Sequence, residues 1–252
     1  MSPRKHIVFD VVGTCVSFDA FYERIAAILG PRLLGHHISA PHFGYTWKEA
    51  AELEFYLILA SGRYTAYGAV FRAVFYRTLA MAGIPDPRAF ATDAERDACQ
   101  AAYAELRLRP GCAAMMAGLR AAGWTVWCFT SGDVERVLGY FQREGVEMPR
   151  ENFVSCDQLT DVDGATGCAR PLYKPSLAAY RHVLRLFADE DEKWFAAAHM
   201  WDVSAAVQAG FRGAYCSVYE KEPCAEIFGT QMDVMAESLH ELAERVTAAS
   251  ST

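Results

Sequence analysis

Apolar and polar positions along the chain follow two different periods. The first apolar run, Ile7-Val8-Phe9 after His6, ends on the carboxylate of Asp10 and reads as a short buried parallel strand. Gly13-Thr14 then turns the chain. From Phe18 to about Ala104 the spacing is helical: Tyr22, Ile25, Ala26 and Leu29 recur at intervals of three and four, and Ala50 to Leu59 and Tyr67 to Met81 repeat the pattern. Breaks are expected at Gly30-Pro31, Ser61-Gly62 and Gly83-Ile84-Pro85-Asp86-Pro87. Nothing here alternates as a strand would, so the segment reads as an all-helical insert.

After Pro110-Gly111 the period switches repeatedly between that of a helix and that of a buried strand. Ala113 to Ala121 reads as a helix and Thr125-Val126-Trp127-Cys128-Phe129 as a strand. Thr130-Ser131-Gly132-Asp133 is a loop, with Asp133 suited to cap a helix over Val134 to Glu144. Strands are expected at Phe153-Val154-Ser155, at Trp194 to His199 and at Gly213 to Cys216. Helices are expected over Pro175 to Leu186, Val203 to Ala209 and Ser238 to Val246. This βα alternation implies an α/β fold, a Rossmann-like parallel sheet covered by helices. The expected division is a core of residues 1–16 and 105–252, with a helical cap of residues 17–104 inserted after the first strand and the site between them. Ligands of such sheets bind beyond the carboxyl ends of the strands, where Asp10, Thr130 and the segment His199 to Asp202 all lie.

The 252 residues, 52% of them hydrophobic, suffice for a large core. A net charge of −7 argues against nucleic acid and against an anionic membrane surface. No apolar run is long enough to span a bilayer, and the start does not read as a secretory signal. Eight scattered cysteines without a CxxC pair suit reduced thiols, so a cytoplasmic location is expected and a zinc site is not. The expected partner is a small-molecule substrate, with no nucleic acid and no membrane; a homodimer is left open as the assembly.

A strand-end aspartate such as Asp10 suits a nucleophile that forms an ester later cleaved by water, although alone it reads equally as a loop carboxylate or helix cap. Its context resembles a known family. Phe9-Asp10-Val11-Val12-Gly13-Thr14 is similar to the first motif of the haloacid dehalogenase superfamily, and Thr130-Ser131-Gly132 to the second. Tyr173-Lys174-Pro175 resembles the third, and Met200-Trp201-Asp202 with Ala205, Ala206 and Gly210 the fourth. Tyr45-Thr46-Trp47, Gly62-Arg63-Tyr64, Tyr180 and Trp201-Asp202 look like the type II 2-haloacid dehalogenases in particular. Those enzymes displace a halide from a 2-halo acid through an aspartyl ester and use no metal. The resemblance makes Asp10 the nucleophile, with Thr14 and Thr130 positioning it or binding the substrate carboxylate. It makes Lys174 the counter-charge with Tyr180 beside it, Asp202 the residue that orients or activates water, and Ser131, Tyr45, Trp47, Tyr180 and Trp201 substrate-binding residues. No cofactor and no metal are implied.

Four positions qualify that picture. Phosphatases of the superfamily carry a second aspartate where this chain has Val12, and they favour paired acids in the fourth motif, where only Asp202 is present. Magnesium wants several oxygen ligands. The family's halide-handling arginine falls on Ser39, with His36, His37 and His42 nearby as candidate substitutes. The family's serine and asparagine ahead of Trp-Asp fall on Ala197 and His199. His199 suits a general base near neutral pH, or simply fills the asparagine slot. Asp161-Val162-Asp163-Gly164 faintly resembles a calcium loop but lacks the later glutamate, and is expected to be a surface turn, a candidate flap over the site. The leading expectation is metal-free hydrolysis of a small 2-substituted acid through an Asp10 ester. The alternatives are the same scaffold redirected to another electrophile or to acid/base chemistry on a specialised metabolite with His199 as base, a phosphatase, or a catalytically silent binding protein.

Overall fold

The computed structural model describes residues 3–162 and 169–250. It resolves into two compact units, Met1–Ser17 with Leu108–Thr252, and Phe18–Arg107. In chain order, β1 (Lys5–Phe9) and β2 (Val16–Ser17) lead into helices α1 (Asp19–Leu34), α2 (Ala40–Ala60), α3 (Tyr67–Met81), α4 (Pro87–Phe90) and α5 (Asp93–Ala101). Then come β3 (Arg107–Leu108), α6 (Cys112–Ala121), β4 (Trp124–Thr130), α7 (Val134–Arg143) and β5 (Phe153–Ser155). The chain continues through β6 (Thr160–Val162), β7 (Ala169–Pro171), α8 (Leu177–Leu184), β8 (Glu192–Ala197), α9 (Met200–Ala209), β9 (Arg212–Cys216), β10 (Val234–Ala236) and α10 (Leu239–Ala249).

The first unit is built on six strands in the order β10-β9-β8-β1-β4-β5, each pair parallel. This is the expected α/β fold. Ile7, Val8 and Phe9 of the central strand are fully buried, as a strand with helices on both faces requires. From β1 the chain order runs outward through β4 to β5 on one side and through β8, β9 and β10 on the other. The winding therefore reverses between β1 and β8, the kind of point beyond whose strand ends ligands of such sheets bind. Phe9 pairs with Cys128 of β4 and with Ala196 of β8, so Asp10 emerges level with the ends of both neighbours.

The second unit is helical from α1 to α5. Its core is aromatic: Phe21, Phe43, Trp47, Phe71 and Phe75 are all buried, and Trp47 stacks on Phe71 with centroids 4.1 Å apart. The break expected at Gly30-Pro31 does not end α1, which runs on to Leu34 with Pro31 inside it. Proline removes one backbone donor, while Leu29 and Leu33 on either side keep the apolar face buried. α2 starts at Ala40, ten residues before the periodic stretch that announced it, because Ser39 accepts the His42 N–H at 3.3 Å and caps the first turn.

Other differences are local. β8 ends at Ala197 rather than His199, and α9 begins at Met200 rather than Val203, so Trp201 and Asp202 belong to its first turn. The segment expected as a surface turn places Asp161 and Val162 in a strand antiparallel to β7, while Asp163 and Gly164 lie outside the described residues. β10, only three residues long, was not expected from its pattern. Among the described cysteines none is in a disulfide, and all but Cys224 are buried. No helix among the described residues is long and apolar enough to cross a membrane.

At the amino end of the sheet, His6 is held in one neutral form. The Trp127 indole N–H donates to His6 Nδ1 at 3.2 Å, which forces that nitrogen to be the acceptor. Nε2 then carries the hydrogen toward Asp191 at 3.3 Å, and the ring stacks on Phe187 at 4.4 Å. Burial, opposed by Asp191, holds His6 below its ordinary pKa of 6.5. The unfolded chain therefore binds the proton more readily, and the His6 contribution to stability is lost as pH falls below about 6.5. Thermal melts at pH 7 and pH 5 should show a smaller acid-induced drop in Tm for His6→Gln than for the wild type. Equal drops would refute this assignment.

Candidate active site

Asp10 follows the last residue of β1 and is 7% exposed. Its N–H donates to the Ala196 carbonyl at 3.0 Å, carrying the sheet ladder one residue beyond the strand. The chain then turns through Gly13, whose φ of 96° lies in the region that favours glycine. That turn brings Thr14 back onto Asp10: the hydroxyl donates to Oδ2 at 2.7 Å and accepts the Ala198 N–H at 2.8 Å. Thr14 thus ties the end of β1 to the end of β8.

Lys174 comes from the segment before α8 and is 1% exposed. Its ammonium lies 3.0 Å from Asp10 Oδ1 and 2.7 Å from Asp202 Oδ2, with the rings of Phe129 and Phe195 within 4.8 Å and 5.2 Å. The Tyr180 hydroxyl donates to the other Asp202 oxygen at 2.5 Å. One cation therefore serves two buried carboxylates, and they respond differently. Burial disfavours the charge on Asp10, but Lys174, His199 and Thr14 outweigh it and hold the carboxyl below its usual range. Asp202 is fully enclosed, and burial together with the Asp10 charge pushes it up to about 6 against the pull of Lys174 and Tyr180. Lys174 loses hydration to burial but is raised overall by its two carboxylates, so it stays charged.

His199 stands at the cap position of α9 in an extended conformation, with Nδ1 3.2 Å from Asp10 Oδ2. Its ring lies between those of Tyr219, at 4.9 Å, and Trp201, at 5.6 Å. The N-terminus of α9 is held by Glu220, which accepts the Met200 N–H at 2.8 Å and faces the Tyr215 hydroxyl at 3.3 Å. Glu220 was missed in the sequence, as was Arg109. The Arg109 guanidinium grips the Gly13 carbonyl with Nε at 3.1 Å and Nη2 at 2.9 Å, fixing the turn that carries Thr14. Neither residue falls in a motif, and no local signal marks a side chain whose partner is a distant backbone atom.

The structure thus brings Asp10, Thr14, Lys174, Tyr180, His199 and Asp202 into one hydrogen-bonded group. Thr130 closes β4; its hydroxyl is buried and accepts the Gly132 N–H at 3.1 Å, shaping the loop. Ser131, partly exposed, lies 3.8 Å from the Cys156 sulfur. Trp201 is half-buried beside His199. Two residues expected to bind substrate have other uses. Trp47 is fully buried in the helical unit with its indole N–H spent on the Phe71 carbonyl at 2.7 Å, so it is a core residue. Tyr180 is equally buried, and its hydroxyl supports Asp202. Tyr45 is exposed on α2 near the Lys48 ammonium. Ser39, His36, His37 and His42 are exposed on the same unit, and Ser39 acts as a helix cap. No group of three or more His, Cys, Asp or Glu side chains among the described residues is placed to hold a metal ion.

A buried carboxylate held ionised beside a fixed cation, with a second carboxylate within reach of that cation, is chemistry suited to nucleophilic displacement. The sequence model of the haloacid dehalogenase-like hydrolase family matches residues 4–210. No curated protein sequence matches the chain. Similar solved structures include a dehalogenase with an intermediate complex, at TM-score 0.73 and 19% identity over 96% of each chain. An L-2-haloacid dehalogenase matches at TM-score 0.73 and 17% identity, covering 98% of this chain and 99% of the other. The L-2-haloacid dehalogenase of Xanthobacter autotrophicus with chloropropionic acid covalently bound matches at TM-score 0.69 and 19% identity, covering 96% of this chain and 98% of the other. These likenesses give the fold, and with the family match spanning most of its length, the chain belongs to the haloacid dehalogenase-like hydrolases.

Proposed function

We propose that the protein hydrolyses a small 2-substituted carboxylic acid through an ester on Asp10, without a metal. The observation that carries this is the setting of Asp10: buried at the carboxyl end of β1, in contact with Lys174, Thr14 and His199, which hold its carboxyl below the usual range. Asp10 attacks the substituted carbon and the leaving group departs with its bonding pair. Water then cleaves the ester at the Asp10 carbonyl carbon, with Asp202 taking up the proton. The Thr130–Gly132 loop at the end of β4 receives the substrate carboxylate.

Position 12 bears on the leaving group. Val12 can protonate nothing, so the leaving group must depart as a stable anion, as a halide does, rather than as an alkoxide. A divalent cation does not fit the residues present. The point between Asp10 and Asp202 is held by the Lys174 ammonium, in contact with both, and the fourth motif offers no second acid. Ser39, a neutral helix cap, supplies no charge to an emerging halide. The loss of one such group costs a factor of about a hundred in rate.

Three outcomes are expected. In single turnover in heavy-oxygen water the label should enter Asp10 and be absent from the first-turnover product, and Asp10→Asn should be inactive while folded; label in the first product would mean that water attacks the substrate directly. Turnover should be unchanged by a chelator, and magnesium-dependent recovery after chelation would overturn the metal-free reading. Release of chloride from 2-chloropropionate should be at least about a hundredfold below ordinary enzyme rates and should rise in Ser39→Arg. Ordinary rates with the unmodified protein would show that no such group is missing.

A further inference from the structure

The two oxygens of Asp10 keep unequal company. Oδ2 accepts from the Thr14 hydroxyl at 2.7 Å and lies 3.2 Å from His199 Nδ1. Oδ1 meets Lys174 Nζ at 3.0 Å. A carboxylate oxygen offers about two lone-pair sites, so Oδ2 is filled and Oδ1 keeps one open. An ionised carboxylate can only accept, so the hydrogen between Asp10 and His199 is on Nδ1. Thr14 is fixed in the same sense: its oxygen accepts from the Ala198 N–H at 2.8 Å, and its own hydrogen points to Oδ2.

We propose that Oδ1 is the attacking oxygen, and that Thr14 and His199 form an oxyanion hole around Oδ2 for hydrolysis of the ester. This rests on the ester mechanism proposed above. In the first half-reaction an Oδ1 lone pair forms the bond to the substrate carbon, and the pair of the breaking bond leaves with the departing anion. Oδ2 becomes the ester carbonyl oxygen without giving up either donor. In the second, a water oxygen adds to Cγ, its proton passes to the Asp202 carboxylate, and the π pair of Cγ=Oδ2 moves onto Oδ2. The new charge appears where two hydrogens already point, which costs no reorganisation. Collapse restores the carbonyl and breaks the Cγ–Oδ1 bond. Oδ1 leaves as the product hydroxyl with the proton from Asp202, and the water oxygen, releasing its remaining proton to solvent, takes its place beside Lys174 as a carboxylate oxygen. His199 acts here as a donor through Nδ1, which is a different task from the general base that its position in the sequence suggests.

Rapid-quench mass spectrometry with (S)-2-bromopropionate separates the two half-reactions. In His199→Ala the ester on the Asp10 peptide should accumulate, because its hydrolysis slows by a factor of about a hundred, the usual effect of losing one oxyanion donor. Its formation should change by less than about tenfold, since Oδ1 and Lys174 are untouched. His199→Gln, whose amide donates but takes up no proton, should recover much of the hydrolysis rate. In heavy-oxygen water the second-turnover product of the wild type should be fully labelled, because the held carboxylate does not exchange its oxygens. Absence of accumulation in His199→Ala, a glutamine variant as slow as the alanine variant, or half-labelled second product would each overturn the proposal while leaving the ester mechanism standing. Label in the first-turnover product of the wild type in heavy-oxygen water would remove the ester mechanism and this inference together.

Discussion

Two carboxylates share one ammonium at the centre of this molecule, and much of the local structure serves that sharing. Asp10 and Asp202 both touch Lys174 in a region from which water is almost excluded. Buried charges are tolerated only when paired and hydrogen-bonded, and removing one partner from such a set typically costs about 3–5 kcal/mol. The sequence meets that demand with Thr14 and His199 on one carboxylate and Tyr180 on the other. The aromatic walls of Phe129 and Phe195 keep the ammonium dry while offering it their ring faces. The unequal division of support leaves Asp10 firmly ionised and Asp202 near neutrality in its titration, so one group is suited to attack and the other to carrying a proton.

The topology explains how residues so far apart in sequence meet. Asp10 and Thr130 stand at the ends of β1 and β4, and His199–Asp202 lead from the end of β8 into the first turn of α9; the three strands are neighbours in a parallel sheet. Strand ends were readable because apolar runs stop abruptly at polar residues, and Asp10 stops the first of them. Lys174 was readable only through its motif, since nothing in the local pattern of Tyr173-Lys174-Pro175 predicts burial of a lysine. Trp47 shows the opposite failure. Its family context suggested contact with substrate, yet Phe43, Trp47 and Ala51 recur every four residues and form the buried face of α2. Period, taken alone, would have placed it correctly.

Boundaries were least legible where tertiary contacts decide them. α9 begins early because Glu220, twenty residues downstream, takes up the Met200 N–H. α1 outlasts its proline because burial of Leu33 outweighs one lost hydrogen bond. The strand at Thr160–Val162 exists only because Ala169–Pro171 pairs with it, a partnership that a surface-turn reading of Asp161 cannot include. In each case the deciding partner is remote in sequence, and no window of local pattern contains it.

The hold of Arg109 on the nucleophile turn also bears on how the fold carries so large an insert. Its backbone N–H meets the Cys15 carbonyl at 2.8 Å while its guanidinium grips Gly13, so the chain is stapled just before it departs and just after it returns. Closing a loop whose ends are already fastened adds only a slowly growing entropy term, whatever the length between them. The segment Phe18–Arg107 can therefore be shortened, lengthened or exchanged with little strain transmitted to Asp10. On this scaffold the turn that carries Asp10 and the inserted segment are free to diverge at different rates.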